Sequence, residues 1–343
     1  MCCENIISRV TYTVSRLAFG AMTFSDGNND IASVYKVDAA LANELVSVAL
    51  DKGINLFDTA DAYAGGESES LLGKALKHRR QEAVITTKVG FRSGQPLTQA
   101  GLSRRHILCS VDQSLTRLGT DWIDVYVVHI EDPFTPLTET LQALDDVVRA
   151  GKVRYLGFSN WSAWKAAAAI ELQKANGWAP FTHGQMNYSL LGRDVERDII
   201  PMIEHYGIGL TVWSPLAAGF LSGKYTRGTA PDNNSRLSGF DVLPTDKEAG
   251  FRLLDSMHHI ARAHHASVAQ VAIAWLLSKK AVTSVLLGSS KREQLDSNLH
   301  AAELQLTPEE LSGLDSLTAL TPLYPNWMND NAVDQAVLHA LSR

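Results

Sequence analysis

The feature that most constrains this chain is a repeated alternation. Short runs rich in β-branched residues occur at 17–22, 55–59, 83–88, 122–129, 153–158, 182–187, 209–214 and 283–288, with helical patterns between them. Parallel strands need a crossover long enough for a helix, so this alternation predicts a parallel sheet with helices outside it. Asp38 and Ser103 stand where helix N-caps belong, and Pro136 where a first helical turn tolerates proline. Gly53, Gly119, Gly151, Gly177 and Gly207 each follow a helical run, the usual place for a left-handed cap. Eight such repeats without a break in composition predict an α/β fold, a (β/α)8 TIM barrel. A doubly wound Rossmann sheet would carry Gly-x-Gly-x-x-Gly directly after its first strand, and no such motif occurs. A P-loop is also missing, since Gly219 to Lys224 has the wrong spacing and runs into Tyr225.

The 343 residues would suit two domains at roughly 150 each. A barrel gives another division: one domain over 1–343, with a core at 17–301 of about the 250 residues such a unit needs. The surplus falls in three places. Residues 1–16 are weakly patterned, so the bottom of the barrel is expected to be incompletely plugged. The polar stretch 217–250, after the seventh strand, has the length of a lid over a bound cofactor. The extension 302–343 opens with a capped helix at Thr307, Pro308, Glu309 and Glu310. Its aromatic tail at 323–328 is expected to lie over the active-site face.

Composition narrows the function. Apolar residues make up 45% of the chain, which excludes wholesale disorder. A net charge of −6 argues against general nucleic-acid binding. The longest apolar run, 268–277, is too short to cross a bilayer, so no membrane partner is expected. Cys2, Cys3 and Cys109 offer neither a disulfide framework nor a cysteine zinc site. The first residues show no secretory pattern, and a cytoplasmic location is expected. His258, His259, His264 and His265 look like a metal cluster. On one helix, however, 258 and 265 would lie about 10.5 Å apart along the axis, too far to share a zinc ion, so no metal is expected.

Barrel enzymes carry their reactive groups at the C-terminal ends of the strands. Here the second run ends in Asp58, with Tyr63 five residues on, the third in Lys88 and the fourth in His129. Neighbouring strands about 4.8 Å apart bring these ends to one rim. Alternation puts Val125, Val127 and His129 on one face and Leu56 with Asp58 on another. A carboxylate, an ammonium, a phenol and an imidazole together make a proton-transfer device. A free tyrosine seldom gives or takes a proton at neutral pH; a nearby Lys⁺ held by Asp58 stabilises its anion. Tyr63 could then protonate an alkoxide as it forms, while His129 orients the carbonyl and helps supply the proton. None of these groups carries a hydride, so a redox reaction needs a cofactor. An isomerase using the same strand ends is the alternative open at this point.

The segment Asp58, Thr59, Ala60, Asp61, Ala62 and Tyr63 continues through Gly65, Gly66, Glu67, Ser68 and Glu69 to Leu72 and Gly73. Together with Ile85, Thr86, Thr87 and Lys88, and with Val127, Val128 and His129, it resembles the aldo-keto reductases over about 17–301. The stretch 188–197 is similar to one found in bacterial members. The resemblance implies NADPH/NADP+ as cofactor, with NADH less favoured, and reduction of a small hydrophobic aldehyde or ketone. It matches Asp58, Tyr63, Lys88 and His129 to the catalytic tetrad. It also implies that Gly20, Met22, Thr23 and Asp58 border the cofactor and that Ser159, Asn160 and Gln185 hold the nicotinamide carboxamide. Trp213 would stack on the ring. Ser214, Pro215, Leu216, Gly219, Leu221, Gly223 and Lys224 would follow the pyrophosphate. Gly288, Ser289, Ser290 and Lys291 would surround the adenosine 2′-phosphate, with Gln294 and Asn298 at the adenine. Lys291 or Ser290 stands where many members have Arg, and an ammonium lacks the bidentate fork of a guanidinium.

Phe24, Tyr63, Phe91, His129, Ile130, Trp161, Trp327 and Met328 are the candidates for an apolar substrate mouth. The run from His129 to Asp132 departs from the family's His-Gly-Trp-Asp by losing the large aromatic, which should widen that mouth. Some proteins of this family bind NADPH as redox-sensing regulatory subunits of membrane channels, which gives the alternative function. The physiological substrate and the oligomeric state are left open.

Overall fold

The structure is a computed structural model that describes residues 4–7, 12–28, 30–225, 227 and 246–341. Two short strands come first, β1 (Glu4–Ile7) and β2 (Tyr12–Ser15), paired antiparallel with Glu4 opposite Ser15. Eight parallel strands follow: β3 (Leu17–Gly20), β4 (Leu56–Asp58), β5 (Val84–Val89), β6 (Ile123–Val128), β7 (Val153–Ser159), β8 (Phe181–Asn187), β9 (Gly209–Trp213) and β10 (Val282–Gly288). They pair in sequence order and close β10 onto β3, the (β/α)8 TIM barrel expected from the alternation.

The helices are α1 (Ala39–Asp51), α2 (Glu67–Leu76), α3 (Arg104–Leu118), α4 (Leu137–Arg149), α5 (Ala163–Asn176), α6 (Ile199–Tyr206), α7 (Lys247–Ala263), α8 (Val268–Leu277), α9 (Arg292–Leu299), α10 (Pro308–Leu317), α11 (Asn326–Ala332) and α12 (Gln335–Leu341). Asp38 caps α1 by accepting from the Leu41 amide, and Ser103 caps α3 by accepting from that of His106. Each ties down an amide that the first turn leaves without a partner. The core lies mainly between barrel and helices, where Phe19, Phe57, Tyr126 and Phe158 alternate with the residues that point into the barrel. Helix α2 meets α3 closely at Gly73, where an added Cβ would lie 2.2 Å from the Leu118 carbonyl oxygen.

Two expectations about the added segments change, and one about the histidines. The N-terminal segment forms a hairpin, and Val14 is fully buried with Ala18, Leu56 and Leu286, so it helps to close the barrel floor. Polar groups fix it there: the Ser15 amide donates to Asn55 Oδ1 at 2.8 Å, and Ser284 Oγ donates to the Ser15 carbonyl at 2.9 Å. Strands of four residues give too few periods to register as alternation. The stretch 217–250 is also less loop-like at its ends. Ala217–Ser222 makes a 3₁₀ turn, and α7 begins at Lys247 with Asp246 accepting from the amides of Glu248 and Ala249. The rest of the stretch expected to form a lid, 226 and 228–245, lies outside the described residues. Finally, α7 ends at Ala263 and His265 takes φ 52°, so His258 and His265 do not share a helix.

The C-terminal extension begins as expected, with a capping box between Thr307 and Glu310. Arg193 donates to the Asp315 carbonyl and to Thr318 Oγ1, and Arg197 to the Thr321 carbonyl, which ties the segment to the loop after β8. Trp327 and Met328 beyond it are about half exposed.

Candidate active site

Asp58 ends β4, Lys88 sits one residue before the end of β5, and His129 directly follows β6. The register pairs Gly20 with Asp58, Asp58 with Thr86, and Lys88 with Val127, so these side chains enter the barrel mouth from adjacent strands. Lys88 is fully buried. Its Nζ donates to Asp58 Oδ1 at 2.5 Å, to the Thr59 carbonyl at 2.7 Å and to the Tyr63 hydroxyl at 3.3 Å. All three ammonium hydrogens are thereby used. The other Asp58 oxygen accepts from Gln185 Nε2 at 2.7 Å.

Burial pushes the Asp58 carboxyl up, against the lowering effect of Lys88 and Gln185. Burial also opposes the charged form of Lys88, but Asp58 and Tyr63 outweigh it and hold the ammonium above its ordinary value. His129 stands edge-on to Tyr63, with ring centres 5.7 Å apart, and Phe91 lies edge-on to His129 at 4.6 Å. Burial, reinforced by Lys88, pushes His129 well below the usual histidine range, so its imidazole is neutral at neutral pH.

A strained backbone carries Tyr63. The three residues after it, Ala64, Gly65 and Gly66, all have positive φ, at 48°, 63° and 96°. Such a run persists only where its surroundings hold it. Gly66 is required for space as well, because the Arg117 side chain passes 2.7 Å from where a Cβ would stand.

From this point a cleft of about 1310 Å³ extends across the ends of β3, β7, β8, β9 and β10 to the start of α9. Asn160 braces its near end at φ 56°: Nδ2 donates to the His129 carbonyl and to Ser159 Oγ at 3.0 Å, while Oδ1 accepts from Trp213 Nε1 at 3.1 Å. Both ends of this amide are therefore engaged within the protein, as is the Gln185 amide nitrogen. Most of the residues expected around a cofactor line the cleft: Gly20, Met22, Thr23, Asp58, Ser159, Asn160, Gln185, Trp213, Ser214, Pro215, Leu216, Gly219 and Lys224. Gly288, Ser289, Ser290, Lys291, Gln294 and Asn298 line its far end.

Two of them do not. Leu221 is fully buried in the core, and Gly223 lies against α8, with Val268 3.1 Å from the place of its missing Cβ. Of the expected substrate mouth, the structure brings Tyr63, Phe91 and His129 to the cleft. Phe24 is buried against Phe19, and Trp161 packs between Phe158 and Phe181. Ile130 approaches Gly90 rather than the cleft wall, and Trp327 and Met328 do not reach it. Position on a loop did not reveal which way these side chains turn. Asp132, by contrast, holds two rim loops together by accepting from the Leu102 and Phe134 amides and from Thr135 Oγ1.

The sequence reading missed Ser33, Val34 and Lys36, which line the cleft from the loop after β3. The length of that loop, between β3 and the Asp38 cap, was the available signal. It also missed Ala62, Ala218, Ser222, Tyr225, Ser267, Ala269, Glu293 and Ser297. Ser33, Ser222 and Tyr225 contribute buried hydroxyls without a hydrogen-bond partner among the described residues. Nothing lies within 4 Å of where a Gly288 Cβ would stand. Orphaned hydroxyls and an open glycine along an elongated cleft suit a long, polar ligand of dinucleotide size.

The sequence model described as "Aldo/keto reductase family" matches residues 16–319. A Schizosaccharomyces pombe protein, provisionally named a voltage-gated potassium channel subunit beta, is 40% identical over 80% of this chain and 83% of its own. A probable voltage-gated potassium channel subunit beta of Oryza sativa subsp. japonica is 35% identical over 92% of this chain and 96% of its own. Versiconal hemiacetal acetate reductase of Aspergillus parasiticus is 35% identical over 82% and 88% respectively. No helix among the described residues is long and apolar enough to cross a membrane.

Proposed function

The chain belongs to the aldo/keto reductase family and is an oxidoreductase acting on small carbonyl compounds; from that premise we propose that it reduces a hydrophobic aldehyde or ketone with NADPH, Tyr63 being the general acid. The observation that carries the reading is Lys88 Nζ, shared between Asp58 and the Tyr63 hydroxyl at the head of the cleft. When bound, the reduced nicotinamide supplies a hydride to the carbonyl carbon. Tyr63 donates its proton to the carbonyl oxygen, and Lys88 stabilises the phenolate left behind. Asp58 holds Lys88 in line and keeps it charged. His129 is neutral, so it orients the carbonyl oxygen by a hydrogen bond and leaves protonation to Tyr63. This refines the expectation that His129 helps to supply the proton.

Trp213 would offer the nicotinamide an aromatic face, with Ser159 and the Gln185 side-chain carbonyl beside it. Ser214, Pro215, Leu216, Gly219 and Lys224 would follow the pyrophosphate. Ser290, Lys291 and the first amides of α9 would take an adenosine phosphate, the basis for preferring NADPH to NADH. Phe91, edge-on to His129 and 40% exposed, would meet the substrate's apolar part. The deciding experiment follows NADPH and NADH consumption with a panel of aldehydes and ketones, in wild type and Tyr63→Phe. Turnover that survives in the variant would exclude Tyr63 as the acid.

A second reading has its own support: two of the similar proteins carry the name of a potassium channel beta subunit. In that reading the chain binds NADPH as a redox sensor and serves as a regulatory subunit. Repeated turnover of NADPH with simple aldehydes favours the enzyme. Tight NADPH binding with no more than one turnover favours the sensor.

A further inference from the structure

Behind the tetrad lies a second ionisable cluster that the mechanism above does not use. Asp61 is 2% exposed and stands two residues before Tyr63 in the same strained loop. Its amide donates to the Lys88 carbonyl at 3.2 Å, so its position is tied to the strand that carries the tetrad's ammonium. Neither carboxyl oxygen has a side-chain hydrogen-bond partner among the described residues. Four groups face it. Glu69 of α2 is fully buried, Arg117 comes from α3, Lys88 from β5, and the Ala62 amide from its own loop. The Tyr126 hydroxyl of β6, also buried without a hydrogen-bond partner among the described residues, lies within the electrostatic field of the two carboxyls and Arg117.

The charges do not balance if both acids are ionised. Arg117 Nε donates to Glu69 Oε2 at 2.6 Å, and Thr87 Oγ1 donates to Glu69 Oε1 at 2.5 Å. Glu69 therefore holds the cation and the hydroxyl, and Lys88 is spent on Asp58 and Tyr63. Asp61 is left buried beside a carboxylate, with no cationic side chain paired to it among the described residues. Under those conditions one of two carboxyls keeps its proton, and it is the one without partners.

We infer that Asp61 is a positioning residue for Tyr63, acting as a neutral carboxylic acid whose ionisation would force the loop 60–66 away from Lys88. The inference rests on Tyr63 being the general acid. Burial first, and Glu69 second, push the Asp61 carboxyl up to about 8, so the switch falls just above neutral pH. The sign follows from linkage. Between about pH 4 and 8 the unfolded chain has lost this proton and the folded chain keeps it, so wild-type stability falls across that window and levels off above it. Ionised Asp61 has two ways to recover solvation, both of which move Tyr63: turning toward water, or displacing Glu69 from Arg117.

The test compares wild type with Asp61→Asn, whose amide resembles the neutral acid and cannot ionise. If Tyr63 and Asp61 must both be protonated, wild-type log kcat/KM takes on, above about pH 8, a slope one unit steeper than that of Asp61→Asn at the same pH. The variant should keep kcat/KM at pH 7 within about threefold, whereas Asp61→Ala, which leaves a cavity, should lose about tenfold or more. Its melting advantage over wild type should grow from nothing near pH 4 to a plateau near pH 8. The tyrosine ¹³Cζ resonance of Tyr63, assigned by its loss in Tyr63→Phe, should show a wild-type inflection near pH 8 that Asp61→Asn lacks. Equal alkaline slopes in the two proteins overturn the inference, as does a melting difference that does not change with pH. If neither protein turns over any carbonyl, the function proposed above fails. The Tyr63 resonance and the melting curves then decide this inference without it.

Discussion

Replacing Lys88 by Met tests the energetics on which the site depends. Lys88 and Asp58 form an ion pair at 2.5 Å with side chains 0% and 6% exposed. Met fills most of the lysine stem's volume but leaves Asp58 with Gln185 as its side-chain partner. Removing one member of a buried pair costs about 3–5 kcal/mol, because the other charge keeps its desolvation penalty. Unfolding entropy of about 2.1 cal/mol/K per residue, over 343 residues, makes each kcal/mol worth about 1.4 °C. The melting temperature should therefore fall by about 4–7 °C at pH 8. The loss should be smaller at pH 5, where an unpaired Asp58 relieves the penalty by taking a proton. Adding Asp58→Asn removes the stranded charge, so the double variant should melt higher than Lys88→Met alone. Turnover should fall by about 10² or more in both, since Tyr63 loses its stabilising ammonium. The assay is calorimetry of wild type, the two single variants and the double variant, at both pH values. Additive losses, or a Lys88→Met protein that melts with the wild type, would falsify the claim that the two charges depend on each other.

Other substitutions probe separate parts of the molecule. Gly73→Ala sets a Cβ 2.2 Å from the Leu118 carbonyl oxygen, backbone that cannot turn aside, and should cost about 3 kcal/mol as read by denaturant midpoint. Tyr63→Phe should leave NADPH binding unchanged in a fluorescence titration while removing nearly all turnover. Lys291→Ala should weaken NADPH about tenfold, near 1.4 kcal/mol, and leave NADH unaltered; equal losses for both would remove Lys291 from the phosphate site. Phe91→Ala should raise KM for aromatic aldehydes several-fold while kcat for a small aldehyde changes little, as steady-state kinetics will show.

Much of this protein is written in local pattern. Eight alternations and their caps determine the barrel because period and capping are properties of adjacent residues, and Asp38 and Ser103 cap where they were expected to. The strand ends identify Asp58, Lys88 and His129 in the same way, since a parallel barrel brings every strand's C-terminal end to one rim. Direction was harder to read. Phe24 and Trp161 occupy rim segments but turn into the core, and Leu221 does the same within its 3₁₀ turn. Which way a side chain turns depends on contacts with other elements of the fold, such as Phe181 of β8 for Trp161 and Phe19 of β3 for Phe24.

Charge accounting was harder still. Asp61 and Glu69 belong to the motif that carries the resemblance, but nothing in that motif shows them buried together, and only the packing of α2 and α3 against the barrel places two carboxyls with one cation. The hairpin under the barrel is similar: four-residue strands carry almost no pattern, and it is Asn55 and Ser284, distant in the chain, that hold β2 in place. Sequence alone determined the fold and which side chains stand at the strand ends, because periodicity and strand ends are local. The tertiary structure decided which ionisable groups are buried together and so which way their ionisation is pushed, because burial and the nearest charge are both set by residues that meet only on folding.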